Sequence, residues 1–147
     1  KLAQIRPALG ECQEGYVYKG KEGIKSILQD ILKEEKPWFV IGAGAQFINL
    51  FPYFYYPFHR RREKLKIPMK ILRSEGLRKE EEKMNLKLRE VRYLSEEYTT
   101  PSTTSIYGDK VAIIVWSPEP MAFLVKNKTV ANSYLKYFEV LWKTAKP

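Results

Sequence analysis

Side chains and backbone groups that could hold a ligand occur at three places in the chain. Gly42 and Gly44 follow one apolar segment, and Arg73 follows a second. Thr103 and Thr104 open a third. Backbone N–H groups, a guanidinium and hydroxyls are donors that suit a sugar, a carboxylate or a phosphate. If the fold brings these residues together, they predict a binding crevice for such a molecule.

The densest basic run consists of His59, Arg60, Arg61 and Arg62. On a helix, four consecutive side chains point in different directions, so they do not form one patch. Two interpretations stay open. The run is either a solvated basic face with one or two packed stems, or a contact for phosphate groups or for another subunit.

Residue types alone identify no catalytic constellation. One His leaves no His pair and no Ser–His–Asp triad. One Cys with one His does not make a zinc site, and no phosphate-loop lysine motif occurs. The carboxylates at 80–82 lie in a charged segment and are interpreted as a solvated face. We therefore predict no catalytic residue, no metal site and no cofactor.

The elements that must position these residues are organised around residues 103–116. This stretch predicts a hairpin whose turn is Gly108-Asp109, where glycine supplies a positive φ. Its second half, 111–116, is an unbroken apolar run, typical of a strand that is covered on both faces. The hairpin is therefore expected in the middle of a sheet.

In the rest of the chain, apolar residues follow in turn the spacing of helices and that of strands. Ile24 to Leu32 form an apolar stripe at helical spacing, and Asn127 is a suitable N-cap for a final helix. Strands are predicted at 15–20, 38–41, 67–72, 90–94 and 121–125, and helices at 21–36, 57–66 and 127–146; residues 77–89 are a solvated helix or a mobile segment. The fold class predicted is α/β: a mixed, mostly parallel sheet with a C-terminal antiparallel hairpin and flanking helices.

In open α/β sheets, ligands bind beyond the carboxyl ends of the parallel strands. Gly42, Gly44 and Arg73 lie at such ends. Thr103 and Thr104 join them if strand 103–107 runs antiparallel to strand 90–94. The predicted crevice is therefore at this edge of the sheet.

Residues 38–58 carry no charge and are long enough to span a bilayer. Gln46, Asn49, Pro52 and Pro57 would leave broken backbone hydrogen bonds inside such a helix, so no membrane span is predicted. Seven aromatic residues fall within 47–58. Whether they line a pocket, form a subunit contact or build a satellite core stays open.

The net charge of +9 favours an acidic partner. The single cysteine, Cys12, excludes an internal disulfide and fits a reducing cytoplasm. A cytoplasmic location is therefore predicted.

Four segments together resemble the C-terminal domain of archaeal TrmB-like transcriptional regulators, from about residue 15 to residue 146. They are GYVYKGKEGIKSIL, FHRRREKLKIPMKIL, VRYLSEEYTTPSTTSIYGDKVAIIVWS and ANSYLKYFEVLWK. The resemblance implies a fold similar to one half of a phospholipase D enzyme. It implies a domain that senses a small molecule, a sugar or an anionic metabolite, or that forms a homodimer. DNA would be bound by an N-terminal winged helix absent from this chain, so residues 1–15 are expected to be a connector and 16–147 a single regulatory domain.

The phospholipase D signature, H-x-K-x4-D, can be set on this sequence with its Asp at Asp109. Ser102 then takes the place of the His and Thr104 that of the Lys. A hydroxyl cannot replace an imidazole that forms a covalent intermediate, so the sequence predicts that the chain is not an enzyme. Two alternatives remain: a stand-alone nucleic-acid-binding domain and a degenerate phosphodiesterase of this type.

Overall fold

The computed structural model describes residues 13–147. Its strands are β1 (Glu14–Lys19), β2 (Trp38–Ala43), β3 (Met69–Ser74), β4 (Arg89–Leu94), β5 (Ser102–Tyr107), β6 (Lys110–Val115) and β7 (Met121–Lys126). Its α-helices are α1 (Gly20–Glu34), α2 (Gln46–Leu50), α3 (Tyr55–Lys64), α4 (Arg78–Glu82) and α5 (Lys128–Thr144). Single 3-10 turns occur at Glu75–Leu77 and Glu96–Tyr98.

All seven strands form one sheet, in the order β1-β7-β6-β5-β2-β3-β4. β2, β3 and β4 pair in parallel, whereas the other four pairings are antiparallel. The α/β class, the parallel part and the antiparallel hairpin are confirmed, but the expected predominance of parallel pairing is wrong. The reason is that β5, β6 and β7 lie between β1 and β2, so β1 has an antiparallel neighbour.

The predicted hairpin is confirmed at the centre of the sheet, but its first strand pairs antiparallel with β2 and not, as expected, with strand 90–94, which lies at the edge beyond β3. β5 and β6 pair from Ser102 with Val115 to Tyr107 with Lys110, and Gly108 turns the chain at φ 59°. Val111 and Ile114, which point to opposite faces, are both buried. Helices therefore cover both sides of this strand, as its unbroken apolar run predicts.

The side-chain alternation of the strands divides the core into two layers. On one face, Trp38 and Val40 of β2 pack with the apolar stripe of α1 and with α3. On the other face, Phe39 and Ile41 pack with α5. Asn127 caps α5, since its Oδ1 accepts a hydrogen bond from the N–H of Val130 at 2.9 Å.

The charged segment before β4 contains less helix than its composition suggests. α4 is a helix of five residues, and the chain then runs as an irregular segment to Leu88, which has φ 56°. The carbonyls of Lys87 and Leu88 accept hydrogen bonds from the buried guanidinium of Arg62. These bonds hold the backbone away from a helical path.

Among the helices that the structure describes, none combines the length and the apolar character that crossing a bilayer requires. The first twelve residues of the predicted connector, including Cys12, lie outside the described residues. β1 begins at Glu14, inside the segment predicted as a connector.

Candidate functional site

A pocket of about 50 Å³ lies on the α1 face of the sheet and extends along β2 and β3, from Trp38 and Met69 at their amino ends to Ala43 and Arg73 near their carboxyl ends. Most of its wall is apolar. The apolar lining consists of Leu28, Trp38, Val40, Ala43, Phe47, Ile48, Met69, Ile71, Met84, Ile114 and Trp116. Polar groups come from Gly44, Gln46, Tyr55, His59, Arg73, Arg89, Thr103 and Ser105. We call this the arginine pocket, after the two buried guanidinium groups in its wall.

The two arginines reach the pocket from neighbouring strands. Arg73 ends the inward-facing row of β3, and Arg89 begins that of β4. The carboxylate of Glu81, on α4, lies between them and forms an ion pair with both. Arg73 Nη1 also donates a hydrogen bond to the carbonyl of Gly44 at 3.0 Å. This bond ties the segment before α2 to the same cluster.

The cluster holds more positive than negative charge. Among the described residues, Glu81 is the one carboxylate paired with Arg73 or Arg89. Burial lowers the pKa of Arg73, and burial together with the nearby charge of Arg73 lowers the pKa of Arg89 to about 10. Both groups remain charged at neutral pH, so two cations face one anion in a largely apolar setting. An anionic ligand would balance this charge.

His59 lies in the wall of the pocket as a neutral group. It is 2% exposed, and its ring stacks on that of Trp38 with a centroid separation of 6.2 Å. Burial, followed by the charges of Arg62, Arg89 and nearby arginines, lowers its pKa to about 2. Its Nδ1 accepts a hydrogen bond from Arg62 Nε at 3.0 Å. Because arginine can only donate, the proton of His59 is on Nε2.

The predicted basic run is divided between the core and the surface. His59 and Arg62 are buried, whereas Arg60 and Arg61 are exposed. Besides its bonds to residues 87 and 88, Arg62 donates to the carbonyl of Ile67 at 2.7 Å. Arg60 pairs with Glu63 at 3.0 Å on the helix surface. Arg62 therefore supports the wall of the pocket, and Arg60 and Arg61 belong to the solvated face.

The predicted crevice residues meet, with one exception. Gly44, Arg73 and Thr103 line the arginine pocket. Gly42 touches its edge, because its carbonyl accepts a hydrogen bond from Thr103 Oγ1 at 3.2 Å. Thr104 pairs with Ile41 and lies on the α5 face, so the alternation of β5 separates it from the others. The expectation that Thr104 joins the crevice is therefore wrong.

Gly42 is required by its conformation and its surroundings. It has φ 81°, and a Cβ at this position would lie 2.7 Å from the carbonyl oxygen of Ser102. α2, which follows these glycines, has five residues. A helix this short does not offer the anion site that the glycine pattern suggested.

A second, more open pocket of about 330 Å³ lies on the other side of Arg73, and Gly42 and Gly44 line it as well. Its polar groups include the carboxylate of Glu96, which accepts hydrogen bonds from Ser74 Oγ at 2.6 Å and from the N–H of Gly76 at 3.0 Å. A carboxylate in the wall opposes a bound anion. The arginine pocket is therefore the better site for one.

The aromatic residues of 47–58 have three different environments. Phe47 and Tyr55 line the arginine pocket, and Phe58 is buried in the core. Tyr53 and Tyr56 are exposed. Pocket and core thus account for the inner members of this run.

On β5, the side chains that face the pocket are hydroxyls. Thr103 Oγ1 accepts a hydrogen bond from Trp116 Nε1 at 2.9 Å. Ser105 Oγ accepts one from Trp38 Nε1 at 3.1 Å. The inward row of this strand therefore uses Thr103 and Ser105, one residue away from the Ser102 and Thr104 that the sequence alignment indicated.

No protein-family model matches the sequence, and no curated protein matches it. Solved structures do match. The chain is similar to TrmBL2, an archaeal chromatin protein whose structure shows a novel mode of DNA binding, with 13% identity and a TM-score of 0.65. It is also similar to Nuc, a phospholipase D family member from Salmonella typhimurium, with 13% identity and a TM-score of 0.60. NucT from Helicobacter pylori matches with 7% identity and a TM-score of 0.56.

The likeness covers 97% of this chain and 56% of TrmBL2, so the chain spans just over half the length of that protein. It covers 91% of this chain in the other two cases, with 97% of Nuc and 98% of NucT. At these identities the likeness concerns the fold. The resemblance to TrmB-like regulators and to the phospholipase D fold is confirmed at that level.

The expectation that the chain is not an enzyme, which was based on Ser102 and Thr104, is wrong. Solved structures with this fold include a member of the phospholipase D family, so the fold belongs to enzymes as well as to DNA-binding proteins. The residue types of one strand therefore do not decide the question of activity.

Sequence reasoning missed Glu81 and Arg89. Glu81 was assigned to a solvated face, but it is buried on α4, where it pairs with Arg73 and Arg89. A signal for Arg89 was present in the alternation of Arg89 and Val91, which puts both on one face of β4. The register pairs Arg89 with Met69, at the opposite end of β3 from Arg73, and the two side chains meet only because both reach Glu81.

Proposed function

We propose that this domain is the ligand-sensing part of a DNA-binding transcription regulator, and that its ligand binds in the arginine pocket. The observation that carries the proposal is the pair of buried guanidinium groups, from Arg73 at the carboxyl end of β3 and from Arg89 at the amino end of β4, in the wall of one pocket. An incompletely balanced buried charge is costly for stability, and perturbed ionisable groups in a cleft cluster at functional sites.

The fold supports the regulatory context. TrmBL2, with which the chain shares its fold, is described as a chromatin protein that binds DNA. In the proposed arrangement, residues 16–147 are the regulatory domain. DNA is contacted by a winged helix upstream of the connector, and the protein acts in the cytoplasm.

A homodimer is part of this proposal. The outer face of α5 exposes Tyr137 and Val140, which are 60% and 63% accessible, and Tyr98 lies exposed nearby. An apolar patch of this kind suits a two-fold contact, which would present two DNA-binding parts to the two halves of an operator. Sedimentation of the wild type and of a Val140→Glu variant tests it. A wild type that stays monomeric at high concentration would remove this part of the proposal.

The sensing function is tested by ligand screening of the 147-residue chain. Sugars, phosphorylated sugars, nucleotides and carboxylic acids are tested for a rise in melting temperature, which a ligand of the native state must produce. Binding should be lost in an Arg89→Met variant and retained in an Arg61→Met variant, which removes the same charge from the surface. A screen with no stabilising compound, or a hit that Arg89→Met does not affect, would contradict the proposal.

A second candidate, nucleic-acid binding by this domain itself, is favoured by its net charge of +9. It predicts DNA affinity that falls steeply with salt concentration. Fluorescence anisotropy with labelled duplex DNA at two salt concentrations tests this candidate. No binding at low salt would eliminate it.

A further inference from the structure

The wall of the arginine pocket has two chemical parts. One part carries the guanidinium groups of Arg73 and Arg89, which meet at Glu81, and most of the remainder is lined by aliphatic and aromatic side chains. A ligand that fits both parts has an anionic head and an apolar body. A phosphate or sulfate ion would meet donors on one side and hydrocarbon on the others, which leaves several of its oxygens without partners.

Hydroxyl groups in the pocket are largely engaged within the protein. Thr103 and Ser105 accept hydrogen bonds from the indole N–H groups of Trp116 and Trp38, and the Tyr55 hydroxyl donates to Met84 Sδ at 3.5 Å. A sugar needs many partners for its hydroxyls, and few are offered here. The polyhydroxy class is therefore a poor match to this wall.

The protein itself shows what the two arginines bind. Glu81, which is not among the residues that line the pocket, places a carboxylate between them, and the pair therefore accepts this group in its present geometry. A second carboxylate, from the pocket side, would give two anions for two cations. Planar carboxylates are the geometric match to guanidinium groups.

Size limits the ligand. One water molecule requires about 10–15 Å³ of cavity volume, so a pocket of about 50 Å³ holds the equivalent of a few water molecules. That space takes a carboxylate with a short hydrocarbon tail. It does not take a nucleotide or a disaccharide without rearrangement.

We infer that the arginine pocket binds a short-chain monocarboxylic acid, whose carboxylate bridges Arg73 and Arg89 and whose hydrocarbon tail packs on the apolar lining. This inference rests on the proposed sensing function and names the chemical class of its ligand. His59 adds a neutral donor to the wall, since its proton is on Nε2.

The test is calorimetric titration of the 147-residue chain with acetate, propionate and butyrate at pH 7.5, with sodium chloride adjusted to constant ionic strength. Propionamide is the neutral isostere, and inorganic phosphate is the competing anion. Arg89→Met leaves the neutral pair of Arg73 and Glu81, so this variant is expected to fold. Arg61→Met is the matched surface control.

The expected result is that propionate or butyrate binds the wild type and Arg61→Met. Arg89→Met should weaken the affinity by about tenfold or more, the effect of one charged hydrogen-bonding partner. Acetate should bind more weakly than butyrate, because it has less hydrocarbon to bury.

Three results would overturn the inference. Propionamide binding as well as propionate would remove the role of the charge. If phosphate or a sugar phosphate binds in an Arg89-dependent way and no carboxylate binds, the inferred ligand class is wrong. The sensing function would still be supported. If neither the carboxylates nor any compound of the wider screen binds, the inference and the sensing function both fail.

Discussion

Beside β3 and β4, Arg73 and Arg89 share the carboxylate of Glu81; beside β5 and β6, Lys110 is held between Asp30 and Glu34. Both clusters lie on the α1 side of the same sheet. The first has two cations for one anion and borders a pocket. The second has one cation for two anions, and its members are partly open to solvent.

The second cluster has the features of a structural contact. Lys110 Nζ lies 2.9 Å from Asp30 and 2.8 Å from Glu34, and the hydroxyl of Tyr107 donates to Asp30 at 2.9 Å. These bonds attach α1 to the central hairpin. Water can reach the surplus negative charge, because the Asp30 and Glu34 side chains are 26% and 30% exposed. The surplus positive charge of the first cluster has no comparable access.

The two clusters show that charge balance and solvent access together distinguish a binding site from a structural contact. An imbalance that water can screen costs little and needs no ligand. An imbalance in an apolar wall is costly, and a bound counter-ion relieves it. Variants that change one charged or hydrogen-bonding group at a time allow the two clusters to be compared.

The largest effect is expected when the single carboxylate is removed from the first cluster. Glu81→Gln leaves Arg73 and Arg89 buried without a counter-charge and should reduce the free energy of unfolding by about 3–5 kcal/mol. Glu34→Gln, the same change in the second cluster, should cost no more than about 1 kcal/mol, since Asp30 remains beside Lys110. Urea unfolding of both variants measures the difference. Equal losses would show that the clusters do not differ in this way.

The next effect concerns acid. The pKa of His59 is about 2 in the folded protein and 6.5 in its ordinary state, so its contribution to stability is fully present above pH 6.5 and is lost as the pH falls toward 2. Arg62, Arg73, Arg89 and Arg60 are the charges that act on it. Between pH 7.5 and pH 5 the loss should be about 2 kcal/mol.

This loss can be assigned to His59 because the chain has one histidine. His59→Gln retains an acceptor for Arg62 but cannot take up the proton. The wild type should therefore lose stability between pH 7.5 and pH 5, while His59→Gln stays nearly level. If the wild type and His59→Gln lose stability in parallel in denaturant unfolding, His59 is not buried as a neutral group.

The second cluster could be anticipated from the sequence only in part. The helical stripe of α1 and the central hairpin were predictable, because each depends on the spacing of apolar residues within one element. Asp30 and Glu34 are four residues apart and therefore lie on one face of α1. Their partner Lys110 could not be predicted, since the contact depends on how α1 crosses the sheet over β5 and β6.

The first cluster was harder to predict for the same reason. Arg73 was identified because it ends a strand, and such ends hold ligands in this class of fold. Arg89 and Glu81 depend on the register of β3 with β4 and on the short length of α4. Thr103 and Thr104 show the limit most clearly: either could face the pocket, and a shift of one residue in pairing exchanges them.

A smaller effect is expected at Lys110. Burial opposes its charge, but hydrogen bonds to Glu34 and Asp30 outweigh burial and raise the pKa of Lys110 above 10.5. Its contribution is therefore present below pH 10.5 and is lost as the pH rises further. Lys110→Met should cost about 1–2 kcal/mol at pH 7, because the carboxylates it pairs are partly exposed. The gap from the wild type should narrow by pH 11, as unfolding curves at the two pH values would show; an undiminished gap would mean that lost packing, not charge, is responsible.

The smallest effect is expected at Thr104, which lies on the α5 face and away from both clusters. Thr104→Val keeps a β-branched side chain of similar size, so the free energy of unfolding should change by no more than about 0.5 kcal/mol, and ligand binding in the arginine pocket should be unchanged. Thr103→Val, one residue earlier, removes the acceptor for Trp116 Nε1 and the donor to Gly42, and should cost about 1 kcal/mol and weaken binding. Unfolding curves and titrations of the two variants test the register of β5 directly. If Thr104→Val has the larger effect, then Ser102 and Thr104 are the residues of β5 that face the pocket, as the sequence alignment indicated. The assignment of Thr103 to the arginine pocket would then be wrong.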